Sequence, residues 1–463
     1  MTATPSITSH ALAVWWKDLE RWDVKFFSAR VRSTYPIVRL ATLVHEHSER
    51  VKPFDFPDTT FRILGVTNVG GIFHAYNSLG KKIKQPYQKV DAGDFAYNPY
   101  RINVGSIGVV PTELGGNYIS PAYVVFAIDK ARLLSEYLNL IMKADWFNPM
   151  VRAATAGSVR QNLTFDLLGT LEIPLPPIVE QETIVARWRK AQDDIAAARE
   201  RAEKLEAVLP SIVYQALGTP PPVAGQPHDK CLVMWWKDLE RWSFNYLSRS
   251  NEGLLGYTKS KFPIEPLGKH LVGTMNGYCI KPVAGPTPHK MLKLNALAPS
   301  GLDLTASKFI IIPQKIADRF SVHKGDLFIC RSVGSYDHVA KCAIATADAP
   351  DTVFPDIMIR VRLKQSLLPA FVGEVVQTPL GRSFFQSNAR TAVGMWKIGA
   401  EDIANFPIPV PPLFVQKEIV ERIATQRREI AKERSDAEAL ARDIDAEVEA
   451  LILGTKKIKE AHD

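Results

Sequence analysis

The groups best suited to chemistry in this 463-residue chain are basic, amide and aromatic side chains set in polar loops. Tyr97-Asn-Pro-Tyr-Arg-Ile-Asn103 offers Arg101 beside Asn98 and Asn103, the side-chain types that make paired hydrogen bonds to guanine and adenine edges. Lys81, Lys82 and Lys84, within Lys81-Lys-Ile-Lys-Gln-Pro-Tyr87, form a strip suited to phosphates. A polar, glycine-containing loop, Arg152–Asn162, adds Arg152, Arg160 and Gln161. In the later half Cys330-Arg-Ser-Val-Gly-Ser-Tyr336 keeps Arg331 and Tyr336, and Arg382, Arg390, Trp396 and Lys397 answer the first half's loop. Taken singly, each of these is more readily a solvated surface residue. The signal lies in the set, which suits a polyanion whose edges are to be read.

Catalysis has little to stand on. There is no GxxxxGK[ST] phosphate loop, no GxGxxG after a strand, and no HExxH or GxSxG. Asn98-Pro-Tyr100 lacks one proline of an amino-methyltransferase motif, and no cofactor-binding glycine loop accompanies it. Cys231, Cys279, Cys330 and Cys342 show neither zinc nor disulfide spacing, so a reducing cytoplasm is the expected compartment. No apolar run approaches the roughly 18 residues of a membrane span, and the first residues do not read as a secretory signal.

The elements that must position those loops are two long helices and two similar globular parts. Gln181–Leu217 carries an apolar seam at heptad spacing through Ile184, Trp188, Ile195, Leu205, Leu209 and Ile212. Gln416–Leu453 keeps that register at Ile419, Ile423, Ile430, Leu440, Ile444 and Leu451, although Gln426, Glu433 and Glu447 interrupt the stripe. Each follows a Pro-Pro signal, Pro174-Leu-Pro-Pro177 or Pro409-Val-Pro-Pro412, and each is followed by a glycine, Gly218 or Gly454, placed for a left-handed cap. The chain carries a net charge of +8; the two helices sum to −3, which leaves +11 for everything else. The positive field therefore belongs to the globular parts.

Trp15-Trp-Lys-Asp-Leu-Glu-Arg-Trp22 recurs letter for letter as Trp235–Trp242, and Val90-Asp-Ala-Gly-Asp94 is matched by Val322-His-Lys-Gly-Asp326. This divides the chain into a mixed α/β part over 1–175, a helix over 176–218, a proline-rich linker over 219–230, a second mixed part over 231–410, a second helix over 411–455 and a tail over 456–463. Short apolar runs separated by Gly, Asn and Pro turns make 36–129 β-rich, with a helix over 130–148. Residues 367–386 are expected to be helical, and Ser387–Lys397 a loop. With only a short linker between the halves, the second helix should return antiparallel along the first and leave the globular parts at opposite ends of a two-helix rod. Such a pair would suit duplex DNA, whose strands are also antiparallel.

Gly93-Asp94-Phe95, Val104-Gly-Ser-Ile-Gly-Val109, Ser120-Pro-Ala-Tyr-Val-Val-Phe126 and the doubled Pro-Pro–Gln–helix element together resemble the specificity subunit of Type I restriction–modification enzymes. The resemblance covers nearly the whole chain. It implies two target recognition domains separated by an antiparallel coiled coil, a bipartite double-stranded DNA site, and a subunit that is itself non-catalytic. It also implies methyltransferase subunits gripping the rod, two of them, and motor-nuclease subunits joining later, with S-adenosylmethionine and ATP held by those partners rather than by this chain. The tryptophan-rich opening and the interrupted second seam depart from the family. The competing readings are a coiled-coil assembly scaffold without DNA specificity and a self-sufficient enzyme of unfamiliar type.

Overall fold

The structure, a computed structural model, describes residues 31–47, 49–67, 71–102, 105–155, 162–222, 260–392 and 394–457. Both copies of the Trp-Trp-Lys-Asp-Leu-Glu-Arg-Trp element, Cys231 and most of the linker lie outside them. Packing divides the chain into one unit formed by residues up to Ala198 with those from Asp436 onward, and another formed by Arg199–Ser435. The cut falls inside both long helices, because each half-helix shares a core with the globular part beside it.

In the first unit α1 (Ser135–Lys143), α2 (Phe147–Ala154) and α3 (Phe165–Gly169) precede the long helix α4 (Ile178–Leu217). The second unit holds α5 (Gln314–Phe320), α6 (Pro369–Gln377), α7 (Pro379–Asn388) and α8 (Ala400–Ala404) before the long helix α9 (Leu413–Ile452). Both expected mid-unit helices are broken in two. Ala144 turns extended after α1, and Thr378 is forced extended by Pro379, so its side chain instead caps α7 by accepting from the Gly381 N–H. The expected loop over Ser387–Lys397 is largely a hairpin of Arg390–Ala392 and Met395–Lys397. Its partner strand, Ser332–Val333, is remote in sequence, which is why local pattern gave no sign of it.

The repeat is built twice at the level of strand order. In the first unit a four-stranded sheet runs Val44–Glu46, Val124–Ile128, Phe95–Tyr97, Ile107–Val109; the second unit runs Leu271–Asn276, Met358–Leu363, Leu327–Cys330, Cys342–Ile344. A second sheet places Tyr87–Val90, Asn117–Ile119, Thr60–Thr67 and Gly71–Leu79 side by side, with a short strand Arg50–Val51 at one edge. Its counterpart, Ser321–Val322, Ala349–Val353, His289–Leu292, Ser307–Ile310, keeps the order and the one parallel pairing. A two-stranded ribbon closes each body, Ile37–Arg39 on Glu172–Pro174 and Ile264–Pro266 on Pro407–Pro409.

Two turns show the equivalence atom by atom. Gly93 and Gly325 adopt φ +91° and +88°, and the Asp94 and Asp326 carboxylates accept from the backbone N–H of Asp91 (2.8 Å) and His323 (3.2 Å). What faces the two buried aspartates differs. Asp326 meets Arg362 at 2.6 Å and Arg360 at 3.6 Å, whereas Asp94 meets His47 at 3.1 Å. The strand register shows why. Residues 360 and 362 flank Val361, which pairs with Leu327, while the matching positions in the first unit are Val125 and Ala127.

The long helices begin three residues before Gln181 and Gln416, directly after the Pro-Pro pairs. Along the seam Ile184, Ile195, Ile212, Ile419, Ile423, Ile430, Ile444 and Leu451 are buried, and Trp188, Leu205, Leu209 and Leu440 are half-buried. Within the first unit Arg187 bonds Glu447 at 2.9 Å. Within the second, Arg201 bonds Glu433 at 2.9 Å, while Ile212 shares a core with Ile419 and Ile423, so the pairing there is antiparallel. The carboxylates that interrupt the stripe are thus answered by arginines across the seam. Pro210 lies inside α4, where it withholds one helical N–H.

Each long helix ends in a two-bond glycine cap. The Gly218 and Thr219 N–H groups donate to Gln215 and Tyr214 carbonyls, and those of Gly454 and Thr455 donate to Leu451 and Ala450. The start of each globular body is tied to one of these ends: Ser33 Oγ and the Thr34 N–H donate to the Leu453 carbonyl, and Ser260 Oγ and the Lys261 N–H to Leu217. Gly454 adopts φ +70°, and a Cβ there would collide with Thr34. Gly454→Ala should therefore cost about 1–2 kcal/mol from the left-handed backbone alone, with more from the clash, read as a lowered denaturation midpoint.

Candidate nucleic-acid interface

In the second unit the three-stranded sheet of Ser332–Val333, Met395–Lys397 and Arg390–Ala392 gathers residues that are far apart in sequence. Lys397 pairs directly with Arg390 on one side and Ser332 on the other, and Trp396 pairs with Val333 and Thr391. Side chains alternate faces along a strand, so Arg390, Lys397 and Ser332 share one face. Arg390 and Lys397 are exposed, and among the described residues neither side chain is seen in an ion pair or hydrogen bond. Like charges directly opposite each other destabilise a sheet unless an anion joins them. On the other face, the Tyr336 ring meets Trp396 edge-on at 4.7 Å.

The loop carrying Tyr336 is held from α7. Arg382 donates to the Asp337 carbonyl and Gln386 to the Tyr336 carbonyl at 3.3 Å. Arg382 thus anchors this loop, and Gln386 does the same without any signal in the sequence beyond its position on a helix. Arg331 is half-buried and donates to the Asp356 carbonyl at 3.2 Å, fixing the strand end that leads into the loop.

The first unit brings together the corresponding loops. Residues 98–106 connect the paired strands Phe95–Tyr97 and Ile107–Val109, and the Leu163 N–H donates to the Pro99 carbonyl at 3.0 Å. Arg101 is exposed, and half-buried Asn98 accepts from the Tyr100 N–H at 3.0 Å, which shapes the turn. Asn103, Arg160 and Gln161 lie outside the described residues. Arg152 is exposed but stands on α2, not in a loop.

Tyr97 is a correction. It is fully buried, with its hydroxyl donating to the Leu163 carbonyl at 3.0 Å, so it supports the loop from beneath and presents nothing to a duplex. Burial also raises its phenol well above the usual tyrosine range. Tyr97→Phe should cost about 1 kcal/mol of stability and leave DNA affinity unchanged in a binding titration.

The lysine strip is not brought to these loops. Lys81, Lys82 and Lys84 are exposed, with Lys81 against Asp58 at 3.4 Å, and they follow the far end of Gly71–Leu79. The beginning of that strand packs on Gly108, so the strip lies about 25 Å away along the strand. The strand between them is the edge of its sheet and exposes Phe73 and Tyr76; the paired glycines at 70 and 71 after the Phe61–Val66 run are the hairpin signal in the sequence.

No family model matches the chain. It is 22% identical over 295 residues to the Type I restriction enzyme EcoKI specificity subunit of Escherichia coli (strain K12), covering 63% of this chain and 58% of that protein. It is 20% identical over 291 residues to the Type I restriction enzyme StySPI specificity subunit of Salmonella potsdam, covering 62% of this chain and 57% of the relative. The chain is similar to these Type I restriction specificity subunits. The match spans less than two thirds of either relative's length. Likeness of fold extends further. A solved chain from work on complex assembly and conformational transition of the type I R-M system superposes with a TM-score of 0.60 at 16% identity, covering 91% of this chain and 98% of that one.

Among the described residues no helix is long and apolar enough to cross a membrane.

Proposed function

We propose that this chain is the DNA-reading subunit of a Type I restriction–modification complex. Each unit reads one half of a bipartite duplex site, and the long helices set the interval between them. Modification methyltransferase subunits, two of them, hold to the helices, and restriction motor-nuclease subunits join that assembly in the cytoplasm. S-adenosylmethionine and ATP belong to those partners, and this chain contributes recognition and no catalytic group. The observation that carries the reading is one scaffold built twice with different tips. Strand order, aspartate turn and helix ends repeat, while the hairpin of Thr60–Thr67 with Gly71–Leu79 has no equally long counterpart among the described residues of the second unit.

A coiled-coil scaffold that binds only proteins would have no use for the opposed Arg390 and Lys397, or for a charge of +11 outside the helices. Salt separates the two readings. Affinity for duplex DNA should fall steeply and linearly on logarithmic axes as salt rises, whereas a purely apolar protein interface should not weaken that way. Adding one heptad to each long helix should lengthen the unread interval by about three base pairs, since seven residues rise about 10.5 Å, with the same bases read in each half. Methylated-base mapping of the two systems checks this, and a change in the bases themselves would overturn the division of labour.

A further inference from the structure

Each long helix carries a completely buried glutamine close to its start, Gln181 in α4 and Gln416 in α9. Gln181 Oε1 accepts from the Leu134 N–H at 2.9 Å, and its amide nitrogen donates to the carbonyls of Arg132 and Pro176, each at 2.9 Å. Gln416 repeats the arrangement with the Leu368 N–H at 2.8 Å and the carbonyls of Ser366 at 3.0 Å and Pro411 at 2.8 Å. Both amide hydrogens and the carbonyl oxygen are used in each case. Leu134 and Leu368 open α1 and α6, so each glutamine joins three things: the root of a long helix, the root of a short helix in the globular body, and the proline run between them.

The apolar contacts that surround these roots are non-directional and allow small slides. Three hydrogen bonds to fixed backbone groups do not. We infer that Gln181 and Gln416 are positioning residues that fix the angle at which each recognition body leaves its helix, and so set how strictly the two half-sites must be spaced. The inference rests on the proposed bipartite reading. Leverage makes it sensitive. A tilt of about 4° at the root of a 40-residue helix, about 60 Å long, moves its far end by about 4 Å, more than one base-pair step of about 3.4 Å. Methionine keeps much of the glutamine's shape but can make none of the three bonds. Glutamate would turn a carboxylate toward two carbonyl oxygens.

The test uses the full chain assembled with its methyltransferase partner and a duplex library in which half-sites and interval are randomised. The wild-type complex should select two fixed blocks at one interval. Gln416→Met and, separately, Gln181→Met should select the same blocks with about a tenfold weaker preference for that interval over those one base pair longer or shorter. Gln215→Met, at an exposed position of α4, should leave the preference intact. Unchanged interval preference in either folded methionine variant, even with a lowered melting temperature, would reduce the glutamines to structural ties and overturn the inference. Should one variant fail to assemble, the other decides. A wild-type complex that selects no paired blocks would sink the bipartite reading itself, a different failure.

Discussion

Asp326→Ala is expected to destabilise the second unit by about 3–5 kcal/mol, and Asp94→Ala the first by only about 1–3 kcal/mol. Both aspartates brace the same glycine turn, so each substitution loses one backbone hydrogen bond. The difference lies in what is left behind. Arg360 is 5% exposed, and its guanidinium donates to the Ser321 carbonyl at 3.0 Å and lies 5.2 Å from the Phe354 ring. Burial already works against its charge, and Asp326 is the carboxylate that works for it. Removing Asp326 strands a buried cation that cannot shed its proton at any ordinary pH. The bond from Asp326 also raises the pKa of the half-exposed Arg362, whose head can reach water once released. Asp94, by contrast, meets the His47 ring at 3.1 Å, so its removal strands no buried guanidinium. Urea denaturation of the two variants checks this, and equal losses would show that the identity of the facing group does not matter.

The double substitution Arg390→Ala with Lys397→Ala should have the largest effect on DNA affinity. Two exposed cations held directly opposite each other, without an acid among the described residues to join them, repel in the free protein and are relieved by an anion. If both meet phosphates, their loss should make the slope of log affinity against log salt shallower by about 1.8. The folded state should change by no more than about 0.5 kcal/mol, because neither side chain is buried. Anisotropy titrations of a labelled duplex at several salt concentrations measure both affinity and slope. An unaltered slope would move the phosphate contacts elsewhere on the unit.

Much of this architecture was legible in the chain because it is written in local periodicities and repeated. The heptad positions, the Pro-Pro starts and the glycine ends delimit α4 and α9 to within three residues. The repeated Val-x-x-Gly-Asp segment marks a turn with the same φ and the same bracing carboxylate in both units. What escaped depends on partners distant in sequence. The hairpin at Arg390–Lys397 is completed by Ser332–Val333, nearly sixty residues away, and α6 and α7 read as one helix until Pro379 is given its effect on Thr378. Tyr97 looked like a loop residue because an exposed arginine stands four positions on. Strand alternation and the Leu163 carbonyl instead draw it inward. Glu433 and Glu447 looked like faults in a seam, and only the facing Arg201 and Arg187 explain them.

Methylated-base mapping on DNA from cells carrying this chain with its partner methyltransferase tests the central claim most directly. Two short conserved blocks, one for each unit, separated by an unread interval of constant length, are the expected result. A single continuous block, or modification with no fixed interval, would contradict an account in which two recognition bodies are held on one duplex by a pair of helices.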